Sequence, residues 1–302
     1  FFFQAEDGIP DSVASRGLGD VYKRQTSLGV KKIVAQALAE DIGDGDLTTA
    51  FMDPDKIAEG QIYSNEEAIL CGSAWFDEVF RQLHSKVEIQ WHHADGDRIE
   101  AGTIICKVTG PAGALLSGER TALNFLQILS GTATITRKFV DATNGTKTKI
   151  LDTRKTIPGL RLAQKYAVQC GGAENHRIGL FDGILIKENH ILVAGSITTA
   201  ITLARKKMSN VFIEVEAETI PQVKEALEAG PDRILLDNMT TEMYRQAVKL
   251  RNAAQGKQVQ LEASGGIDLG NINQVSKTGV DYISVGAITK NARAIDISMR
   301  FI

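Results

Sequence analysis

VFIEVEAETIPQVKEALEAGPDRILLD, residues 211–237, sets out the architecture in one unit. VFIEVE (211–216) and DRILLD (232–237) are short apolar runs rich in residues that favour strands, and TIPQVKEALEAG (219–230) between them has a helical pattern. Working outward, the same kind of run recurs at KTKILD (147–152), DGILIK (182–187), VQLEAS (259–264) and DYISVG (281–286). Helical patterns such as LRLAQKYAVQC and TEMYRQAVKLRNA fill the intervals. Strand, helix and strand in repetition predict βα units around a parallel sheet. Six units favour a barrel of the TIM type, complete or incomplete, over a doubly wound open sheet. No G-x-G-x-x-G opens a helix after the first strand, which disfavours a dinucleotide fold.

The strand ends carry the chemistry. In order they bear Asp152 with Arg154 and Lys155, then Lys187, Glu216, Asp237, Ser264 with Gly265 and Gly266, and Gly286. In an α/β barrel these ends converge on one face, where active sites form. Glu214 and Glu216 share one face of a buried strand, and paired carboxylates there need cations or a metal to offset desolvation. SGGI (264–267) and SVGA (284–287) offer backbone N–H groups after the last two strands, where barrels commonly hold phosphate. Glu216 and Asp237 would then face ribose hydroxyls or Mg²⁺, whose preference is for hard oxygen ligands. Arg154, Lys155, His176, Arg177 and Lys187 would hold a second anionic group. A sugar phosphate bearing a diphosphate, with a carboxylated partner, fits this set.

The rest of the chain bounds the reading. With 302 residues, 43% hydrophobic and 24% charged, it supports one large or two medium domains. A net charge of −3 disfavours broad nucleic-acid binding, and no apolar run reaches membrane-spanning length. Cys71, Cys106 and Cys170 lack metal-type spacing and are expected as reduced thiols, in keeping with a cytoplasmic setting. Residues 1–25 show neither helical nor alternating periodicity and no secretory pattern, so they are expected to form no part of the fold. Leu28, Val30, Ile33, Val34, Ala37 and Leu38 make one apolar helical face, and residues 57–117 alternate in short runs that predict a small sheet domain. The acidic loop 40–49 lacks the order of an EF-hand. Arg161 and Lys165, four apart on a helix, serve the anionic pocket or are solvated, and His190 reads as a loop cap.

GERTALNFLQILSGTAT (118–134), LDTRKTIPGLR (151–161), GGAENHRIGLFDGILIKENH (171–190), EVE, LLDNM, EASGGI and SVGA together resemble the quinolinate phosphoribosyltransferase family of NAD biosynthesis. The resemblance runs in order over residues 26–302. It implies an N-terminal α/β sandwich domain (26–129), an incomplete α/β barrel (130–290) and a C-terminal segment (291–302) that packs back on the first domain. It also implies a homodimer, and allows a hexamer.

The implied reaction joins quinolinate and phosphoribosyl pyrophosphate to give nicotinate mononucleotide, pyrophosphate and CO2. By the same resemblance Arg154, His176, Arg177 and Lys187 bind the two carboxylates, with Arg120 reaching in from the partner subunit. Lys155 lies between the quinolinate and diphosphate sites, and Lys187 borders the latter. Glu216 and Asp237 bind ribose and Mg²⁺, while Ser264, Gly265, Gly266 and Gly286 take the 5′-phosphate. Three alternatives stand beside this. Nicotinate phosphoribosyltransferase needs cations for only one carboxylate, a molybdenum-transport-associated homologue shares the fold, and a non-catalytic metabolite-sensing barrel would not require Lys155, Glu216 and Asp237 together.

Overall fold

The computed structural model describes residues 29–53, 56–254 and 258–302. Residues 1–25 and Leu28 lie outside the described residues. Helix α1 covers residues 29–42 and turns Val30, Val34 and Leu38 inward, as its apolar periodicity requires. There follow β1 (Ile57–Ser64), β2 (Ala68–Ile69), α2 (Ser73–Leu83), β3 (Glu88–Trp91), β4 (Arg98–Ile99) and β5 (Ile104–Pro111). The expected short alternating segments are there, but α2 interrupts them with a full helix. Its buried face of Trp75, Phe76, Val79 and Phe80 packs beneath the sheet. Trp75 and Trp91 serve this core: the Trp91 ring stands edge-on to Phe76, and its N–H donates to Asp77 at 2.9 Å.

Helix α3 (Ala112–Asp141) is 30 residues long and links the two halves of the chain. The second half contains β6 (Lys149–Leu151), α4 (Arg161–Cys170), β7 (Ile184–Ile186), α5 (Glu188–Ala194), α6 (Ile197–Lys207), β8 (Ile213–Ala217) and α7 (Ile220–Ala229). It continues through β9 (Arg233–Asp237), α8 (Thr241–Ala253), β10 (Gln260–Ser264), α9 (Ile272–Ser276), β11 (Tyr282–Ser284) and α10 (Ala287–Lys290) to β12 (Ile297–Phe301). Each of the six apolar runs read from the sequence holds one of the strands β6–β11, with β8 extending one residue beyond its run to Ala217.

Local signals explain where these elements begin and stop. Thr219 caps α7 by accepting the N–H of Gln222, whose side chain in turn accepts the N–H of Thr219. Gly230 then ends the helix in the left-handed conformation at φ 68°.

Strand order distinguishes the two candidate architectures. The large sheet runs β6-β11-β10-β9-β8-β7, and every pairing in it is parallel. A doubly wound sheet reverses order at an interior switch point. Here the first strand instead joins the last, which is how a barrel closes, and the break falls between β6 and β7. An isolated parallel bridge from Leu151 to Glu174 covers part of that break. All five residues of β8 are buried, and the apolar core packs between the strands and their helices.

The small sheet has the order β12-β1-β5-β3, so the C-terminal strand returns to pair with β1. Gln127 of α3 anchors the return by accepting from the Ile295 N–H at 3.1 Å and donating to the Ile297 carbonyl at 2.8 Å. Among the described residues no helix is long and apolar enough to cross a membrane.

Candidate active site

The cation-bearing segments meet beside the C-terminal end of β6. Asp152, fully buried one residue past the strand, accepts the Lys165 ammonium at 2.6 Å and the His176 backbone N–H at 2.7 Å. Arg154 and Lys155 follow it on one loop, and His176 and Arg177 stand on a second. Arg177 donates to the Gly183 carbonyl at 3.0 Å. Burial and the facing Arg154 charge both push its guanidinium below its ordinary value. The Nε of Arg154 is buried with no hydrogen-bond partner among the described residues. Two guanidiniums close enough for one to perturb the other, one of them with an orphaned donor, make a site for an anion.

His176 departs from the cationic role expected of it. Its Nδ1 accepts the backbone N–H of Arg177 at 2.8 Å, and its Nε2 lies 2.8 Å from Glu214. The proton is therefore assigned to Nε2, and the ring is neutral, with burial pushing its pKa down. Both nitrogens are committed within the chain, so His176 orders its loop in this structure.

The acidic side sits across the sheet. Lys187 donates to Glu216 at 2.6 Å, and one oxygen each of Glu216, Glu218 and Asp237 lie within 4.8 Å of one another. Burial raises the pKa of Glu216, and the Asp237 charge adds to it, while Lys187 opposes both. An all-oxygen set of this kind suits Mg²⁺, so the residues fit the metal that the sequence implies. The Asn238 side chain donates to Asp237 at 2.6 Å. Asn238 itself is left-handed at φ 51°, a conformation that asparagine tolerates better than most residues.

The loops after β10 and β11 complete the mouth. Among the described residues, the N–H groups of Gly265, Gly266 and Gly286 donate to no protein acceptor. Gly265 has φ +88°, and a Cβ there would stand 2.2 Å from Asn238 Oδ1. At Gly286 a Cβ would stand 3.3 Å from the Lys155 side chain, so the glycine leaves room for that exposed lysine. Thr289 fixes the lysine's backbone by donating to its carbonyl at 2.7 Å. Arg120 is exposed on α3 and joins none of these contacts.

A family model for the quinolinate phosphoribosyl transferase C-terminal domain matches residues 132–300, and the corresponding N-terminal domain matches residues 46–130. The chain belongs to the quinolinate phosphoribosyltransferase family. A probable carboxylating nicotinate-nucleotide pyrophosphorylase of Bacillus subtilis is 45% identical over 273 residues, covering 90% of this chain and 93% of that protein. A decarboxylating quinolinate phosphoribosyltransferase of Nicotiana tabacum is 38% identical, covering 90% of this chain and 82% of its own length. The solved nicotinate-nucleotide pyrophosphorylase of Francisella tularensis superposes with a TM-score of 0.88 at 46% identity, over 91% of this chain and 97% of that one.

Within this phosphoribosyltransferase framework, several residues at and beneath the site escaped the sequence reading. Glu218, two residues past Glu216, joins the acidic cluster and could have been found by that spacing. Glu262 and Arg233 lie under the site and carried no signal as a pair: Arg233 donates to Glu262 at 2.9 Å and stacks on Tyr282 at 4.0 Å. His190, read as a loop cap, instead caps helix α5, accepting the Lys187 N–H at 2.9 Å. A separate cleft of about 640 Å³ opens beside Lys147, Lys277 and Tyr282. It lies at the starts of the strands, away from this chemistry.

Proposed function

We propose that this chain transfers the phosphoribosyl group of phosphoribosyl pyrophosphate to the ring nitrogen of quinolinate, with loss of pyrophosphate and CO2. The observation that carries the reading is the opposed pair Arg154 and Arg177, with its orphaned buried Nε, in a chain of this family. One carboxylate would leave one of the two guanidiniums uncompensated, whereas a dicarboxylate matches both. With Lys187 at the rim, the pocket holds the pyridine ring so that its nitrogen faces the ribose C1.

Positive charge develops at that carbon as its C1–O bond to pyrophosphate breaks, and the carboxylates of Glu216 and Asp237 stabilise it. Lys155, free to move over Gly286, neutralises the departing pyrophosphate. Mg²⁺ held by Glu216, Glu218 and Asp237 would add charge neutralisation to the diphosphate. The N–H groups of Gly265, Gly266 and Gly286, with Ser264, are assigned to the 5′-phosphate. Bond formation makes the ring nitrogen cationic. The 2-carboxylate then leaves as CO2, the electron pair stays on the ring carbon beside that cation, and a proton takes the vacated position. Positioning thus does most of the work, and no covalent nucleophile is required.

Assays with magnesium, phosphoribosyl pyrophosphate and either quinolinate or nicotinate test the proposal. Quinolinate is expected to give mononucleotide and CO2 in equal amounts, and nicotinate none. Turnover of nicotinate alone would refute the dicarboxylate pocket.

A further inference from the structure

Beneath the pocket lies a cation that no substrate reaches. Lys165 is fully buried on α4, where its ammonium donates to Asp152 at 2.6 Å and to the His176 carbonyl at 2.8 Å. Asp152 returns a bond to the same segment by accepting the His176 N–H. With its amide oriented to satisfy its neighbours, Asn175 donates to the second oxygen of Asp152 at 2.9 Å and to the Lys165 carbonyl at 3.0 Å. One turn earlier on the same helix face, Arg161 donates to the Arg154 carbonyl at 3.4 Å, the Ile178 carbonyl at 3.3 Å and Thr156 at 3.1 Å. Between them, Lys165 and Arg161 bond to both loops that carry the opposed arginines.

We propose that Lys165 and Arg161, acting with Asp152, are positioning residues for quinolinate: they supply no charge to the substrate and set the spacing between Arg154 and Arg177. The inference rests on the proposed function. A salt bridge kept only for stability would not need to bond the backbone at Arg154, His176 and Ile178 from a single helix face. Buried ion pairs are in any case poor stabilisers relative to apolar packing. Lys165 separates the two substrates, because its ammonium bonds Asp152 and the His176 carbonyl but neither residue flanking Lys155, and the brace makes no bond to the glycine loops after β10 and β11.

The test is steady-state kinetics on the full-length enzyme with each substrate varied in turn. Lys165→Met is expected to raise KM for quinolinate roughly tenfold or more and to move KM for phosphoribosyl pyrophosphate by less than about twofold. Asp152→Asn keeps one acceptor oxygen and should fall between wild type and Asp152→Ala. Should Lys165→Met fail to fold, Asp152→Asn carries the test, since it loosens the Lys165 and His176 contacts and leaves the Arg161 bonds on either side of Lys155 in place. Folded variants with an unchanged quinolinate KM, or with both KM values raised alike, would overturn the inference while leaving the function intact. Wild-type enzyme that turned over no quinolinate would fail the functional reading and overturn this inference with it.

Discussion

Glu262 shows how far a single residue can be read. Its carboxyl is fully buried between the Glu214 carboxylate, the neutral His176 ring and the Arg233 guanidinium. Burial and the Glu214 charge push its pKa up to about 7. One oxygen of each glutamate lacks a partner when both are ionised. A single proton on Glu262 resolves this by turning two orphaned acceptors into a donor and an acceptor. Because the folded state holds that proton more tightly than the unfolded chain, the associated stability is full below about pH 4.5 and is lost as pH rises through about 7. Linkage bounds the effect at roughly 3 kcal/mol. Glu262→Gln fixes the protonated hydrogen-bonding pattern, so its melting temperature should fall less than that of wild type between pH 5 and 7.5. Parallel melting curves across that range would show that Glu262 is ionised throughout. Sequence spacing exposed the Glu214 and Glu216 pair because both lie on one strand. Glu262 and Arg233 come from neighbouring strands, so only the sheet register brings them together.

At the scale of elements, the six barrel strands were legible because each is a short apolar run bounded by turn signals. Two features were not. The helix α2 was hidden among alternating segments, and the Leu151–Glu174 bridge is too short to leave a hydrophobic run. The segment after β10 tests what the glycine pattern means. Gly265 and Gly266 are both left-handed, but a Cβ on Gly265 would strike Asn238 whereas one on Gly266 meets open space. Gly265→Ala should therefore cost about 1–3 kcal/mol of stability through strain and displace Asn238 from Asp237. Gly266→Ala should cost only the conformational part, about 1 kcal/mol. Denaturant midpoints measure the contrast, and KM for phosphoribosyl pyrophosphate should rise more in the first variant. Equal losses in the two would mean that the Asn238 contact sets nothing.

The whole molecule is tied together by its last strand: β12 closes the small sheet against β1, so the chain's two halves are joined at both α3 and the C-terminus. This leaves Arg120 exposed on α3, apart from the pocket cations of its own chain. If two copies associate so that this helix faces the partner's barrel mouth, each site would contain residues from both chains. Mixing two inactive proteins tests this. Arg120→Ala lacks the reaching cation and Lys155→Ala lacks the lysine at the diphosphate, so each alone should be nearly inactive. Refolded together, random pairing puts about half of the molecules into mixed dimers. Every mixed dimer contains one site with both residues intact and one with neither, so about a quarter of wild-type activity should return. That recovery requires a shared site, because no arrangement confined to one chain can regain a residue it has lost. Recovery of no activity in demonstrably mixed dimers would show that Arg120 does not reach into the partner's site.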